Sequence, residues 1–310
     1  MHLFLRRAWA GLVMLAWLTG CESARDVPPV DTSFVTPTLP PDTAAIPGIS
    51  TSAWDRSAGS VLAIPGSTPG EALMIFPELT DTTLTDTVLF TPARVEGLAL
   101  ELFDRSGLVT ADTVTSMPAH VWTSGCLDWP RATLRGAPLR WTVGFAAGRV
   151  TPIPLDSIEG MPAQDSSVLA AALARAASNL EERPDSRFRG LPFLVRTAHR
   201  FRTDDSSTVV VADLVRRLTL EANPQEEHTL LVVERNSADS PFRVVYHDRR
   251  SGSEEAFDAV DLLGAVRLGA PARPALVLAR VGYDTTAYTL LELVAPGRWQ
   301  RRWTSVTTSC

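Results

Sequence analysis

From Ala53 to Thr304 the chain returns repeatedly to apolar runs of strand length, each cut off by turn residues, and this punctuation leaves little room for a fold built from helices. Glu71–Phe76, Thr87–Phe90, Val95–Phe103, Ala119–Trp122, Leu139–Phe145 and Arg149–Leu155 all have β-branched or aromatic content at that length. Leu98, Leu100 and Leu102 alternate with Ala99 and Glu101, which predicts a strand with one better buried face. Asp104-Arg105-Ser106-Gly107 then reads as a hairpin turn. A β-sandwich or barrel-like sheet over residues 51–160 is the expectation. Residues 161–310 follow as a helix plus a second β region, which could form one unit with the first.

The helix is expected between Asp165 and Arg183. Val168, Leu169, Ala172, Leu173, Ala176 and Leu180 recur at helical spacing, Asp165 or Ser166 can cap the start, and Pro184 ends the run. Its alanine-rich face suits packing on a sheet. Strands return as Pro192–Phe201, Thr208–Leu220, Thr229–Arg235, Phe242–Asp248, Ala275–Val281, Ala287–Val294 and Arg298–Thr304. Gly264–Pro274 reads as a Gly/Pro-rich link, and a helical start for Asp213–Leu220 stays open. The fold class is therefore mainly β (α+β), with antiparallel sandwich or propeller-like sheets and one long helix near 166–183.

The amino terminus is of a different kind. Arg6-Arg7 precede an apolar run from Ala8 to Leu18, and Leu18-Thr19-Gly20-Cys21 closes it with small residues before a cysteine. The run is about a dozen residues, short of the roughly 20 that a membrane-spanning helix needs. The segment resembles the signal and lipobox of bacterial lipoproteins. That resemblance implies cleavage after Gly20, acylation of Cys21, and an anchor of two or three chains that holds stably where one would not. Glu22 stands where an Asp would favour inner-membrane retention, so the outer membrane is expected, with the body in the periplasm or at the cell surface. From Glu22 to Ser50 six prolines (Pro28, Pro29, Pro37, Pro40, Pro41, Pro47) and many Thr, Ser and Asp predict a disordered tether. Its reach is roughly 30 Å if coiled and about 90 Å if fully polyproline-extended.

A second likeness lies near the carboxyl terminus. Arg267-Leu268-Gly269-Ala270-Pro271-Ala272-Arg273-Pro274-Ala275-Leu276-Val277-Leu278, Gly282-Tyr283 and Tyr288-Thr289-Leu290-Leu291 resemble the blade-forming segments of VCBS or FG-GAP-like repeats. Gly269, Ala270 and Ala272 stand where those repeats place acidic calcium ligands, so no metal role is carried over.

Charge and composition exclude several chemistries. All 29 basic residues are arginine, against 35 acidic ones, and loss of residues 1–20 brings the balance to about −8. No basic patch is visible for nucleic acid. Without lysine there is no Schiff base, no Ser-x-x-Lys pair and no lysine-bearing phosphate loop. His120, His199, His228 and His247 show no zinc-ligand spacing, and a structural role is expected for each. Gly66-Ser67-Thr68-Pro69-Gly70 lacks the form of a nucleophile elbow and reads as a loop. Asp81 with Asp86, Asp204 with Asp205, and Glu226 with Glu227 are the candidate acid/base pairs, but neighbours on a strand point to opposite faces. No cofactor or metal is expected.

Two cysteines remain after Cys21. Cys126 and Cys310 are expected to form a disulfide in an oxidising compartment, closing a loop of about 185 residues for at most roughly 5 kcal/mol in the chain-entropy account. A thiol nucleophile at Cys126 beside His120 has no local support. Trp122, Trp129 and Trp141 flank Cys126, and Trp299 and Trp303 precede Cys310. These indoles form either an aromatic core or an exposed groove for glycan or peptide. The functional expectation is a non-catalytic, lipid-anchored envelope module that binds or scaffolds an envelope protein or glycan, with the membrane reached through its lipid. The alternatives are an envelope hydrolase using acidic residues and a ligand binder using the tryptophans.

Overall fold

The computed structural model describes residues 54–309, apart from 78–86, 91–94, 119, 124–127, 137, 181–185, 204–206, 220–223, 238–239 and 254–258, with the backbone alone at 87–90, 120–123, 186 and 309. The signal, Cys21, the tether, Cys126 and Cys310 lie outside the described residues. The chain divides after Gly48, and Ile49–Cys310 forms one unit.

The first strands, β1 (Leu62–Pro65), β2 (Glu71–Ile75), β4 (Ala99–Asp104), β5 (Gly107–Ser116), β7 (Arg131–Leu134) and β8 (Val143–Ala146), close into an antiparallel barrel in the order β1-β2-β7-β5-β4-β8. Closure gives each of these six strands a neighbour on both sides, although β5 meets β7 only at Val114 and Ser116. β3 (Thr87–Phe90) and β6 (His120–Thr123) pair as a separate two-stranded ribbon. The expected burial alternation holds in β4, where Leu100 and Leu102 are fully buried while Ala99 is exposed. The Asp104 turn also forms, with Asp104 Oδ1 accepting from the backbone amides of Ser106 and Gly107 at 2.7 and 3.2 Å. Gly144 is required by packing: a Cβ there would lie 2.7 Å from Leu102 Cδ2 and 3.2 Å from Ala63 Cβ.

Two open antiparallel sheets follow. The first takes β10 (Asp156–Ser157), β11 (Leu194–Arg202), β12 (Thr208–Leu218), β13 (Gln225–Arg235) and β14 (Arg243–Ser253), in chain order. The second runs β18-β17-β16-β15-β9, built from β18 (Arg298–Thr304), β17 (Thr285–Ala295), β16 (Arg273–Val281), β15 (Ala259–Leu268) and β9 (Thr151–Ile153), with β19 (Thr308–Ser309) added on β17. Val209, Val211, Leu230 and Val232 of the first sheet pack against Val260, Leu262, Leu276, Leu278 and Leu291 of the second. The other face of the second sheet, through Val266, Ala275, Val277 and Leu290, shares a core with the barrel. The outer face of the first sheet, through Val210, Ala212, Leu214, Leu231 and Val233, is covered by Leu169, Leu173 and Ala177 of α1 (Ala163–Ser178). Barrel, sheet, sheet and helix thus stack as four layers with three apolar cores. Both sheets are covered on two faces, which explains the near-continuous apolar runs of β12, β13 and β16.

The α+β, mainly antiparallel class holds, with differences in detail. The helix starts earlier and stops earlier than 166–183. Pro162 occupies the N-cap position with no side-chain bond, and Ser166 and Ser167 turn their hydroxyls back to the Ala163 carbonyl instead of capping. It ends at Asn179, before Pro184. Asp213–Leu218 is strand throughout. Residues 259–268, half of them read as a link, form β15, a strand paired along its length with β16 that tolerates Gly264 because the pairing register shifts between Leu262 and Gly264. The VCBS-like segment builds the β15–β16–β17 meander of a layered sheet.

Part of β15 is an open edge, because β9 covers only Ala265–Arg267. Side chains from other layers cap the uncovered carbonyls. Arg196 donates to Val260 O at 2.6 Å, Arg105 Nε to Leu262 O at 2.8 Å and the Thr142 hydroxyl to Leu263 O at 2.6 Å. Backbone acceptors that would otherwise be half-buried without partners are satisfied in this way.

Candidate functional site

Ionisable groups concentrate at the end of the β12–β13 hairpin. The sequence mirrors Arg216-Arg217 against Glu226-Glu227, and the register places Arg216 opposite Glu227 and Arg217 opposite Glu226. Alternation sends the two pairs to opposite faces, as expected of adjacent strand residues.

On the helix side, Arg216 Nε donates to Glu227 Oε1 at 2.9 Å and its Nη1 donates to Phe188 O at 3.0 Å. Its guanidinium carbon lies 4.4 Å from the Phe193 ring centroid. Both charged residues are almost wholly buried, and Arg249 Nε stands 3.6 Å from the same carboxylate oxygen. A buried carboxylate at this depth needs its guanidinium partner, since the desolvation cost of an unpaired ion is several kcal/mol.

Between the sheets, Arg196 joins two strands of different layers. It donates to Asp213 and, at 2.7 Å, to Asp261 Oδ1. Asp213 then meets His228, whose ring lies between two carboxylates: Nδ1 is 3.1 Å from Asp213 Oδ2 and Nε2 is 3.0 Å from Glu226 Oε2. Glu226 accepts in turn from Arg217 Nε at 2.6 Å. Burial alone would lower the His228 pKa. The hydrogen bonds and charges of Asp213 and Glu226 outweigh it and hold the imidazole above its ordinary value. His228 is only 3 % exposed, and both of its ring nitrogens are taken by carboxylates of the chain. His199, also buried, behaves oppositely: desolvation and the Arg105 charge push its pKa down.

A third group lies at the same end, where β14 faces β16, β17 and β18. Arg280 donates to Asp248, Arg301 lies 3.9 Å from Asp248, and Arg250, Arg280 and Arg301 line a small cavity together with threonines. An open groove of about 670 Å³ lies elsewhere, between α1 and the end of the β13–β14 hairpin. It is lined by Met161, Val168, Ala172, Arg175, Arg235 and Phe242 among others, with Val168 62 % exposed and Arg235 stacked 4.7 Å from the Phe242 centroid.

The tryptophans do not assemble as one groove. Trp129, Trp141 and Trp303 are buried in the barrel-side core, while Trp299 is buried between the two sheets, edge-on to Phe201 at 6.3 Å. Trp303 is an anchor of the seam between barrel and sheet, in T-shaped contact with Trp54 at 4.9 Å and donating to Pro77 O at 2.9 Å. The side chains of Trp122 and His120, the doublets Asp81/Asp86 and Asp204/Asp205, and all three cysteines lie outside the described residues. Glu226 and Glu227 are held apart on opposite faces. Gly66–Gly70 is the β1–β2 turn, where the Ser67 amide and hydroxyl donate to Glu71 Oε2 at 3.0 and 3.1 Å. Among the described residues no group of three or more His, Cys, Asp or Glu is placed to hold a metal ion, and no helix is long and apolar enough to cross a membrane.

Sequence reasoning passed over Arg196, Asp213, His228, Arg280 and Arg301 as a set. The mirrored Arg-Arg and Glu-Glu doublets were the available signal. The comparisons add no relative: no protein-family model, curated protein or solved structure matches the chain.

Proposed function

We propose that the chain is a lipid-anchored, non-catalytic module of the bacterial outer membrane whose folded body binds another envelope component. The observation that carries this reading is the state of its ionisable groups. The best-placed acid/base array, Asp213–His228–Glu226, centres on a buried imidazole whose two ring nitrogens are both taken by carboxylates, whereas the mixed apolar and arginine-lined groove beside α1 is open. Glycoside hydrolysis needs two carboxyl groups about 5–10 Å apart across an open cleft, and Asp213 and Glu226 instead share one buried imidazole. Burial of Trp129, Trp141, Trp299 and Trp303 also weighs against a tryptophan-lined binding groove.

The anchor belongs to the same proposal. Cys21 carries lipid, the Pro/Thr-rich stretch spaces the body from the membrane, and Cys126 pairs with Cys310. Peptide mapping without reduction tests the last point by recovering both cysteines in one fragment. For the function, photo-crosslinkers placed in cells at Val168 and at Tyr283, both well exposed, distinguish the groove from general surface contact. The proposal expects a discrete envelope adduct at Val168 that is lost with Cys21→Ala. Equal background at both positions would overturn it.

A further inference from the structure

We infer that the cavity between β14, β16, β17 and β18 is a binding site for a tetrahedral oxyanion, a phosphate or sulfate group either free or at the end of a larger molecule. The cavity has a volume of about 130 Å³ and is lined by Arg250, Arg280, Arg301, Thr285, Thr289 and Thr304, with Ala287 and Thr307 completing the wall. Pockets for whole drug-sized ligands begin near 300 Å³, so this one fits a single anionic group whose remainder stays outside.

The fold assembles the lining from separate strands. Arg280 and Ala287 are cross-strand partners on β16 and β17, and Thr289 and Thr304 are partners on β17 and β18, their hydroxyls 3.4 Å apart. Arg250 enters from the facing sheet, on the strand that supplies Asp248. Among the described lining residues none is acidic, and Asp248 beside the cavity is the carboxylate that meets Arg280 and Arg301. Arg280 and Arg301 set two guanidinium groups against the one carboxylate of Asp248 in a half-buried space, Arg250 adds its donors to the wall, and threonine hydroxyls add neutral donors. Fork-shaped guanidinium donors match the oxygens of phosphate and sulfate two at a time. Arg280 is nearly buried, and its pKa is pushed down by that burial and by the charges of Arg250 and Arg301, against the pull of Asp248. A bound dianion would relieve this crowding. Arg301, with its side chain half exposed, stands where an incoming group would meet it first. The site is separate from the groove beside α1 and does not depend on the function proposed for it.

The test is calorimetric titration of the full chain with inorganic phosphate and, separately, with glycerol 3-phosphate, comparing wild type with Arg301→Gln. Arg243→Gln removes an equal charge at the far end of β14 and serves as the control. Thr304→Val provides a second variant with no change of charge. The expected result is saturable binding of at least one probe, weakened tenfold or more by Arg301→Gln, measurably weakened by Thr304→Val and unchanged by Arg243→Gln. Binding of both probes marks recognition of the group itself. Binding of glycerol 3-phosphate alone marks an esterified headgroup, and binding of inorganic phosphate alone marks the free ion. No binding of either probe at millimolar concentration, or equal weakening by Arg301→Gln and Arg243→Gln, would overturn the inference. Circular dichroism and the thermal midpoint of each variant verify that the comparison is made between folded proteins.

Discussion

The imidazole of His228 and the carboxylate of Asp213 meet at 3.1 Å inside the space between two sheets, with Glu226 on the other ring nitrogen. Burial opposes protonation there, but the two carboxylates win, so the folded-state pKa lies above the ordinary 6.5. A histidine whose pKa is raised by folding contributes stability that is fully present below its unfolded-state pKa and is lost as pH rises through the folded-state value. Urea unfolding at pH values rising from 6.5 should therefore show wild type losing stability relative to His228→Gln. Parallel profiles for the two proteins would remove the charge from the account.

His199 supplies the opposite sign. Its pKa is lowered by burial and by Arg105, against weaker pulls from Glu159 and Asp261. Its contribution is present above the unfolded-state pKa and is lost as pH falls through the folded-state value. Ring-resolved NMR titration should find His199 titrating below 6.5 and His228 above it, and Arg105→Gln should move His199 upward. The reverse order of the two histidines would contradict both assignments.

The doublets at the hairpin end should differ sharply in cost. Glu227→Ala strands the buried Arg216 guanidinium and is expected to cost about 3–5 kcal/mol in urea unfolding. Arg217→Ala breaks a pair whose arginine is more than half exposed, and should cost about 1 kcal/mol or less. Similar losses for the two variants would mean that burial does not set the energetics of this hairpin.

At the uncovered edge of β15, Thr142→Val preserves shape while deleting the donor to Leu263 O and to Phe103 O. A loss of about 0.5–1.5 kcal/mol is expected. Hydrogen exchange should also quicken at residues 259–264 more than in β16. No change in either quantity would show the capping bonds to be dispensable.

The barrel sets a steric limit. Gly144→Val must displace Leu102 and Ala63 inside a closed wall, and overpacking of this kind costs about 1–3 kcal/mol. A thermal midpoint equal to wild type would indicate that the barrel yields freely at this point.

Much of the sheet was readable from local pattern. Thr87–Phe90 and Arg298–Thr304 were placed residue for residue, because apolar content and turn residues agree there. β5 was overlooked since GLVTADTVTS is mostly solvent-accessible and polar along both faces, and its strand state depends on pairing with β4 and β7. β15 is absent from the sequence reading, which assigns no strand to 259–263 and takes Gly264–Pro274 as a link, because Gly264 reads locally as a break while tertiary pairing absorbs it as a register shift. The helix end moved because backbone capping at Asn179 competes successfully with the later Pro184 signal.

The candidate sites were less legible for a different reason. Arg196 and Asp261 are 65 positions apart, and Arg280 and Asp248 are 32 apart, so their contacts exist only once the sheets stack. By itself the sequence determined the strand-rich class, the helix that covers the first open sheet, the opposite facing of Glu226 and Glu227, and the absence of lysine chemistry, because these follow from composition and from periods of 2 and 3.6 residues. Only the tertiary structure decided that Trp129, Trp141, Trp299 and Trp303 are core, that His228 is enclosed by carboxylates, and that three arginines share one cavity. Packing of layers brings together side chains from distant strands, and no local pattern encodes which faces will meet.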